Sequence, residues 1–175
     1  MKLHLGCGKV NIDGFINIDI RYLPSVDSLE DIQFLRSYSN VDVIYACHIL
    51  EHFSRWNIPN VLRVWVSKLC PGGKLYLSVP DFDAIVDYYK ETDDLDSLIG
   101  LLHGGQDYDS NFHHYSWSFR TLKRDLDKIG LVNIKKFDWK NGPNPDIDDC
   151  SKSYLPHMDQ NGRLMVINVV GEKPN

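Results

Sequence analysis

The residues best suited to chemistry stand at the start of the chain. Gly6, Cys7 and Gly8 end a short apolar-alternating run, and Asp19 ends a second such run 11 residues after Gly8. In open α/β sheets, glycines let the backbone approach a bound ligand, and an acid on a neighbouring strand accepts hydrogen bonds from ribose hydroxyls. The pair therefore indicates a site for a nucleoside-containing cofactor.

Histidines are the other candidates for chemistry, because their protons move near neutral pH. His48 follows the buried run at residues 41–46, where a ligand of a parallel sheet would lie. His113 and His114 stand in an aromatic loop before a helix that Ser118 begins. His4, inside the first apolar run, is expected to be structural.

Alternating strands and helices must position these residues. Strands are predicted at residues 2–5, 15–19, 41–46, 74–79, 132–139 and 164–170, with a short extended piece near Ile32. Helices are predicted at residues 58–69, 81–91, 95–103 and 118–129. This order indicates an α/β fold with a mostly parallel sheet and an antiparallel last strand. The six residues between Gly8 and Phe15 are too few for a normal crossover helix, so that helix must be shortened or absent.

Length and composition set the class of protein. The chain has 175 residues, which is enough for a single domain, and 43% of them are hydrophobic. The net charge of −5 and the lack of a dense Lys/Arg run argue against a nucleic-acid partner. Four widely spaced cysteines fit a reducing, cytoplasmic setting, and no apolar run is long enough for a membrane span. We expect a monomer or a homodimer.

Four segments together resemble the class I S-adenosylmethionine-dependent methyltransferases. They are Leu5-Gly6-Cys7-Gly8, Ile18-Asp19, the run from Val43 to His52 that ends in Leu50-Glu51-His52, and Leu69-Cys70-Pro71-Gly72-Gly73-Lys74-Leu75. The Leu-Glu-His segment is similar to that of the small type 11-like group. The resemblance covers essentially the whole chain, and it implies a Rossmann-like sheet of seven strands.

The resemblance implies S-adenosyl-L-methionine as cofactor and S-adenosyl-L-homocysteine as product. The residues that it places on the cofactor are Gly6, Cys7, Gly8, Asp19, Ile20, Asp31, Ile32, Ala46, Cys47 and His48. Two features depart from the family pattern. Val10 replaces the third glycine, and Asp19 follows Gly8 more closely than is usual.

The acceptor must be enclosed by two other segments, because no domain is expected before the first strand. Residues 81–117 and 140–162 are rich in Asp, His, Tyr and Trp, a mixture that suits a small hydroxylated or phosphorylated molecule such as a surface-glycan precursor. In these segments we expect Asp81, Tyr115, Tyr154 and His157 to bind the acceptor. The candidate catalytic residues are His48, His113 and His114.

Three other functions are weighed against this one. His48-Ile49-Leu50-Glu51-His52 satisfies the H-x-x-E-H spelling of certain zinc hydrolases, but His48 falls at a strand-to-helix boundary, and the methyltransferase pattern explains the segment without a metal. A nicotinamide dehydrogenase would have glycine where Asn11 stands. A methyltransferase-like binding module without turnover stays open, because cofactor residues do not prove an acceptor site.

Overall fold

The computed structural model describes residues 1–146, 148–157 and 159–175. Its strands are β1 (Lys2–Leu5), β2 (Ile16–Asp19), β3 (Ser28–Leu29), β4 (Val41–Cys47), β5 (Leu69–Pro80), β6 (Val132–Lys136), β7 (Tyr154–Leu155), β8 (Arg163–Leu164) and β9 (Val166–Glu172). Its α-helices are α1 (Ile58–Lys68), α2 (Phe82–Thr92), α3 (Ile99–His103) and α4 (Phe119–Lys128). A short 3₁₀ turn at Leu50–His52 follows β4.

Seven strands form one sheet in the order β3-β2-β1-β4-β5-β9-β6. The first five of these strands are mutually parallel, and β9 runs antiparallel to both β5 and β6. The sheet confirms the predicted α/β fold with its antiparallel last strand. Because parallel strands end at the same edge, the residues after β1, β2 and β4 meet there.

One face of the sheet is apolar and carries two amphipathic helices. Side chains of α1 and α4, among them Trp65, Leu122 and Leu126, pack with strand residues such as Leu5 and Leu77 in one buried cluster. Ser118 caps α4 by accepting a hydrogen bond from Thr121 N, as expected for a serine before a helix. These helices bury the sheet from one side only.

The opposite face is more polar, because no helix lies in the link between β1 and β2. His4 Nδ1 lies 3.0 Å from Asn17 Oδ1, and Tyr45 donates a 2.6 Å hydrogen bond to Asp149. Asn168 Nδ2 donates to Ser151 O at 2.8 Å. The segment around Asp149 thus covers strand residues that a crossover helix would otherwise bury, and the expected absence of the first helix is confirmed.

Some predicted boundaries were wrong. The short extended piece expected near Ile32 is β3 at Ser28–Leu29, which pairs with the end of β2. The fifth strand starts at Leu69, before the Pro-Gly-Gly sequence, because Leu69 already pairs with Val41 across a register shift. Within the described parts of the chain, no helix has the length and apolarity needed to cross a membrane.

Candidate functional site

The turn after β1 depends on its two glycines. Gly6 and Gly8 have φ values of +63° and +54°, in the left-handed region that side chains disfavour. A Cβ at Gly6 would collide with the Ile49 side chain, and one at Gly8 would come within 3.3 Å of Arg21 Nη2. Gly6 and Gly8 also line a cavity at the sheet edge, so the backbone of this turn is open to a ligand there.

Asp19 ends β2 beside this turn and is almost completely buried. Its carboxylate accepts hydrogen bonds from Gly8 N at 2.8 Å and from Arg21 N at 2.9 Å, and Arg21 Nε lies 3.2 Å away. Burial alone would raise the pKa of Asp19, but the hydrogen bonds from Arg21 and Gly8 outweigh it and lower that pKa. The carboxylate is therefore ionised at neutral pH and fixed in direction.

Arg21 and Tyr108 lie over Asp19, a pairing that sequence reasoning missed. The Arg21 guanidinium stands 4.4 Å from the centre of the Tyr108 ring, within the range of a cation–π contact. An arginine two residues after a strand-ending acid was a visible signal. Its aromatic partner lies 87 positions further along and could not be paired with it from the sequence.

Two adjoining cavities open at this edge. The larger, of about 620 Å³, is lined by the glycine turn, the end of β4, residues 100–113 and residues 148–157. The smaller, of about 230 Å³, lies over Asp19, Asp31 and Ile32. Both cavities are lined by Gly6, Arg21, His48, His52 and Tyr108. The two cavities therefore lie side by side along the strand ends.

His48 stands where the two cavities meet. It follows the last residue of β4 with a φ of +49°, a conformation that is costly for a residue with a side chain. Its backbone N donates to Ser78 O at 2.8 Å, and its side-chain Nδ1 lies 3.3 Å from Glu51 Oε1. Burial, with the nearby His113 and His52, lowers the pKa of His48 to about 3, so the ring is neutral.

Glu51 is the second functional candidate that sequence reasoning missed. Its side chain is fully buried, and among the described residues neither carboxylate oxygen has a hydrogen-bond partner. Burial raises the pKa of Glu51 to about 8. Nothing in the Leu-Glu-His segment indicates that Glu51 is buried, because the residues that lie around its side chain include some that stand about 60 positions later, such as His113.

The half-buried residues His52 and His113 lie beside Glu51. Their rings meet edge to face with centroids 4.8 Å apart, and His113 Nε2 lies 3.9 Å from Glu51 Oε1. Burial lowers the pKa of both histidines, to about 4 for His52. We call Glu51, His52 and His113 the Glu-His-His cluster.

The predicted cofactor residues converge, with one exception. The larger cavity is lined by Gly6, Cys7, Gly8, Cys47 and His48. The smaller is lined by Gly6, Asp19, Ile20, Asp31, Ile32 and His48. Ala46 lines neither cavity, because its side chain points to the buried helix-covered face. Burial raises the pKa of the Cys7 thiol to about 12, so this cysteine is not a thiolate nucleophile.

The predicted acceptor-side residues divide into two groups. His113 and His157 line the larger cavity. His114 is exposed and lines neither cavity, although its backbone N donates to Glu51 O at 2.8 Å.

The other three candidates, Asp81, Tyr115 and Tyr154, also line neither cavity. Asp81 caps α2 by accepting from Asp83 N at 3.0 Å, and Tyr115 packs on Trp117 with ring centroids 4.8 Å apart. Tyr154 accepts from Trp139 Nε1 at 3.2 Å. In this structure all three have contacts that explain their positions without an acceptor.

Solved structures with a similar fold were found, although no family model and no curated protein matches the chain. One is 1,6-didemethyltoxoflavin-N1-methyltransferase from Burkholderia thailandensis, with bound 1,6-didemethyltoxoflavin and S-adenosylhomocysteine. It has a TM-score of 0.61 and 12% identity over 99% of this chain and 71% of that chain.

Two archaeal structures are similar over more of their own length. A SAM-dependent methyltransferase from Methanosarcina mazei has a TM-score of 0.58 and 14% identity, covering 99% of this chain and 92% of that one. A SAM-dependent methyltransferase from Archaeoglobus fulgidus has a TM-score of 0.57 and 15% identity, covering 98% and 85%. The small type 11-like group stays a prediction. The protein has the fold of the class I S-adenosylmethionine-dependent methyltransferases.

Proposed function

We propose that the protein transfers a methyl group from S-adenosylmethionine to a small polar acceptor. The observation that carries this proposal is that Gly6 and His48 line both cavities, so the two cavities are adjacent at these residues. A cofactor in one cavity would thereby meet an acceptor in the other at His48. Transfer between two bound molecules requires this adjacency, since the reacting atoms must come within about 3–3.5 Å.

The residues at this edge fit the cofactor. The turn at Gly6 and Gly8 suits the amino-acid part, because its backbone lines the larger cavity with no side chain to block a ligand. Asp19 is an ionised acceptor for the ribose hydroxyls, and Asp31 and Ile32 line the cavity that would take the adenine. Arg21 Nε and Nη2 donate hydrogen bonds to the two oxygens of the Asp19 carboxylate. The Arg21 side chain must therefore move before a ribose can bind there.

When bound, the cofactor supplies an electrophilic methyl on a sulfonium sulfur, and transfer to a hydroxyl yields S-adenosylhomocysteine and one proton. His48 lines both cavities, and its Nε2 has no hydrogen-bond partner among the described residues, so the lone pair of this neutral ring is free to accept that proton. Glu51 acts as a positioning residue. Its Oε1 lies 3.3 Å from His48 Nδ1, and in the ionised form, which dominates above its pKa of about 8, the carboxylate favours the tautomer with the hydrogen on Nδ1 and the lone pair on Nε2.

We place the acceptor between residues 100–113 and 148–157. The walls there include Asn111, His113, Asp149, Ser153 and His157, which offer both donors and acceptors to a hydroxylated molecule. This lining supports a sugar-like or phosphate-bearing acceptor, such as a surface-glycan precursor.

The test is transfer of labelled methyl from S-adenosylmethionine to a panel of sugar nucleotides and phosphorylated glycan precursors. Label on any member supports the proposal. A protein that binds S-adenosylhomocysteine but labels no member would support the alternative of a binding module without turnover. Calorimetry with S-adenosylhomocysteine therefore accompanies the panel.

A further inference from the structure

The Glu-His-His cluster has the composition and spacing of a metal site. The ligand atoms of Glu51, His52 and His113 all lie within 4.8 Å of one another. An ion with ligand bonds of about 2.0–2.2 Å needs ligand atoms roughly 3–4 Å apart, so small side-chain movements would suffice. The H-x-x-E-H hydrolase pattern would instead use His48, which follows the strand end outside any helix.

The two histidines present lone pairs of the required kind. His113 Nδ1 lies 2.9 Å from Leu101 O, and His52 Nδ1 lies 3.2 Å from Phe112 O. Because a carbonyl oxygen only accepts, each Nδ1 carries the hydrogen and each Nε2 keeps a lone pair. Histidine ligands of metal ions are held in this way by a hydrogen bond from their other nitrogen.

The Glu51 carboxyl group is the third candidate ligand, and it lacks a partner. Its side chain is fully buried, and neither of its oxygens has a hydrogen-bond partner among the described residues. Most buried polar groups are hydrogen-bonded, so an unpartnered group of this kind is costly. A metal ion bound to these oxygens would supply the missing partner.

We propose that Glu51, His52 and His113 bind one divalent transition-metal ion at the wall of the larger cavity. Two imidazoles and one carboxylate favour Zn²⁺, Co²⁺ or a similar ion over Mg²⁺ or Ca²⁺, which prefer oxygen ligands only. Because His52 and His113 line the cavity, the ion can polarise an acceptor oxygen there. The role of the ion in polarising an acceptor oxygen rests on the proposed methyl transfer, whereas the binding of the ion does not.

The test titrates the chelator-treated, dialysed full-length chain with Zn²⁺ in a calorimeter, and with Co²⁺ in a spectrophotometer. We expect one equivalent to bind, with visible Co²⁺ absorption of a low-coordinate site. The variants Glu51→Gln, His52→Ala and His113→Ala should each weaken binding at least about tenfold. His103→Ala, on the exposed end of α3, is the matched control and should bind as the wild type does.

Two outcomes would overturn the metal site. One is a wild-type chain that binds neither ion. The other is a set of three cluster variants that bind as tightly as His103→Ala. Circular dichroism of each metal-free variant shows whether it folds, and Glu51→Gln preserves the side-chain volume. S-adenosylhomocysteine binding to the metal-free chain is measured in parallel, so failure of the cofactor proposal and failure of the metal proposal are told apart.

Discussion

His48 Nδ1 lies 3.3 Å from Glu51 Oε1 at the junction of the two cavities, and the Glu51 side chain is fully buried. The left-handed φ of His48 and the 3₁₀ turn at Leu50–His52 bring them together. The strained histidine is held by its backbone hydrogen bond to Ser78. A strained residue with an unpartnered nitrogen at a cavity junction is typical of a functional position.

The first prediction concerns proton transfer at this junction. His48→Ala should lower turnover about 100-fold or more, because a general base contributes about 10²–10⁴-fold. His114→Ala should retain near wild-type turnover, because the His114 side chain is exposed and outside both cavities. The rates are measured with the acceptor that the labelling panel identifies. Equal losses in the two variants would refute the assignment of His48.

The second prediction concerns Asp19. Asp19→Asn should weaken S-adenosylhomocysteine binding at least about tenfold, because hydrogen bonds to a charged group contribute roughly 1.5–3 kcal/mol. Asp13→Asn, at an exposed position in the link between β1 and β2, is the matched control. Calorimetry measures both affinities. If Asp19→Asn bound as tightly as Asp13→Asn, the ribose contact would be misplaced.

The third prediction separates backbone strain from steric collision. Gly14 and Gly6 both have positive φ, but a Cβ at Gly14 meets nothing within 4 Å, whereas one at Gly6 meets Ile49. Gly14→Ala should therefore cost about 1–2 kcal/mol of unfolding free energy from backbone strain alone. Gly6→Ala should cost clearly more. Urea denaturation measures both losses, and equal losses would mean that the turn after β1 accommodates a side chain.

The fourth prediction concerns pH. Burial lowers the pKa of His4 in the folded state, despite the hydrogen bond with Asn17 and the nearby charges of Asp149 and Asp19. The unfolded chain therefore binds this proton first, at about pH 6.5, and stability falls as the pH drops below that value. His4→Phe should reduce the slope of unfolding free energy against pH between about 5 and 6.5. Identical slopes would show that His4 titrates equally in both states.

The sheet and the cofactor edge were predictable, because they depend on local patterns. Apolar alternation marked the strands, and the glycines and Asp19 stood where two of them end. The strand expected near Ile32 was misplaced because β3 is only two residues long and is defined by its pairing with Ile18 and Asp19. A strand this short has no periodicity of its own.

The acceptor side was less predictable, because it depends on contacts between distant segments. His113 and His114 are adjacent, yet one faces the larger cavity and the other faces solvent. In an extended segment neighbouring side chains point in opposite directions, and the sequence does not tell which one points inward. The burial of Glu51 could not be predicted either, because His113, which lies beside it, stands 62 positions later in the chain.

The central claim is that S-adenosylmethionine binds at the sheet edge formed by Gly6, Asp19 and His48, and binding of its product tests this most directly. Calorimetry of the full-length chain should show S-adenosylhomocysteine bound with micromolar affinity, at one equivalent, and no binding of NAD. If neither S-adenosylmethionine nor S-adenosylhomocysteine bound to the protein, the claim would be wrong.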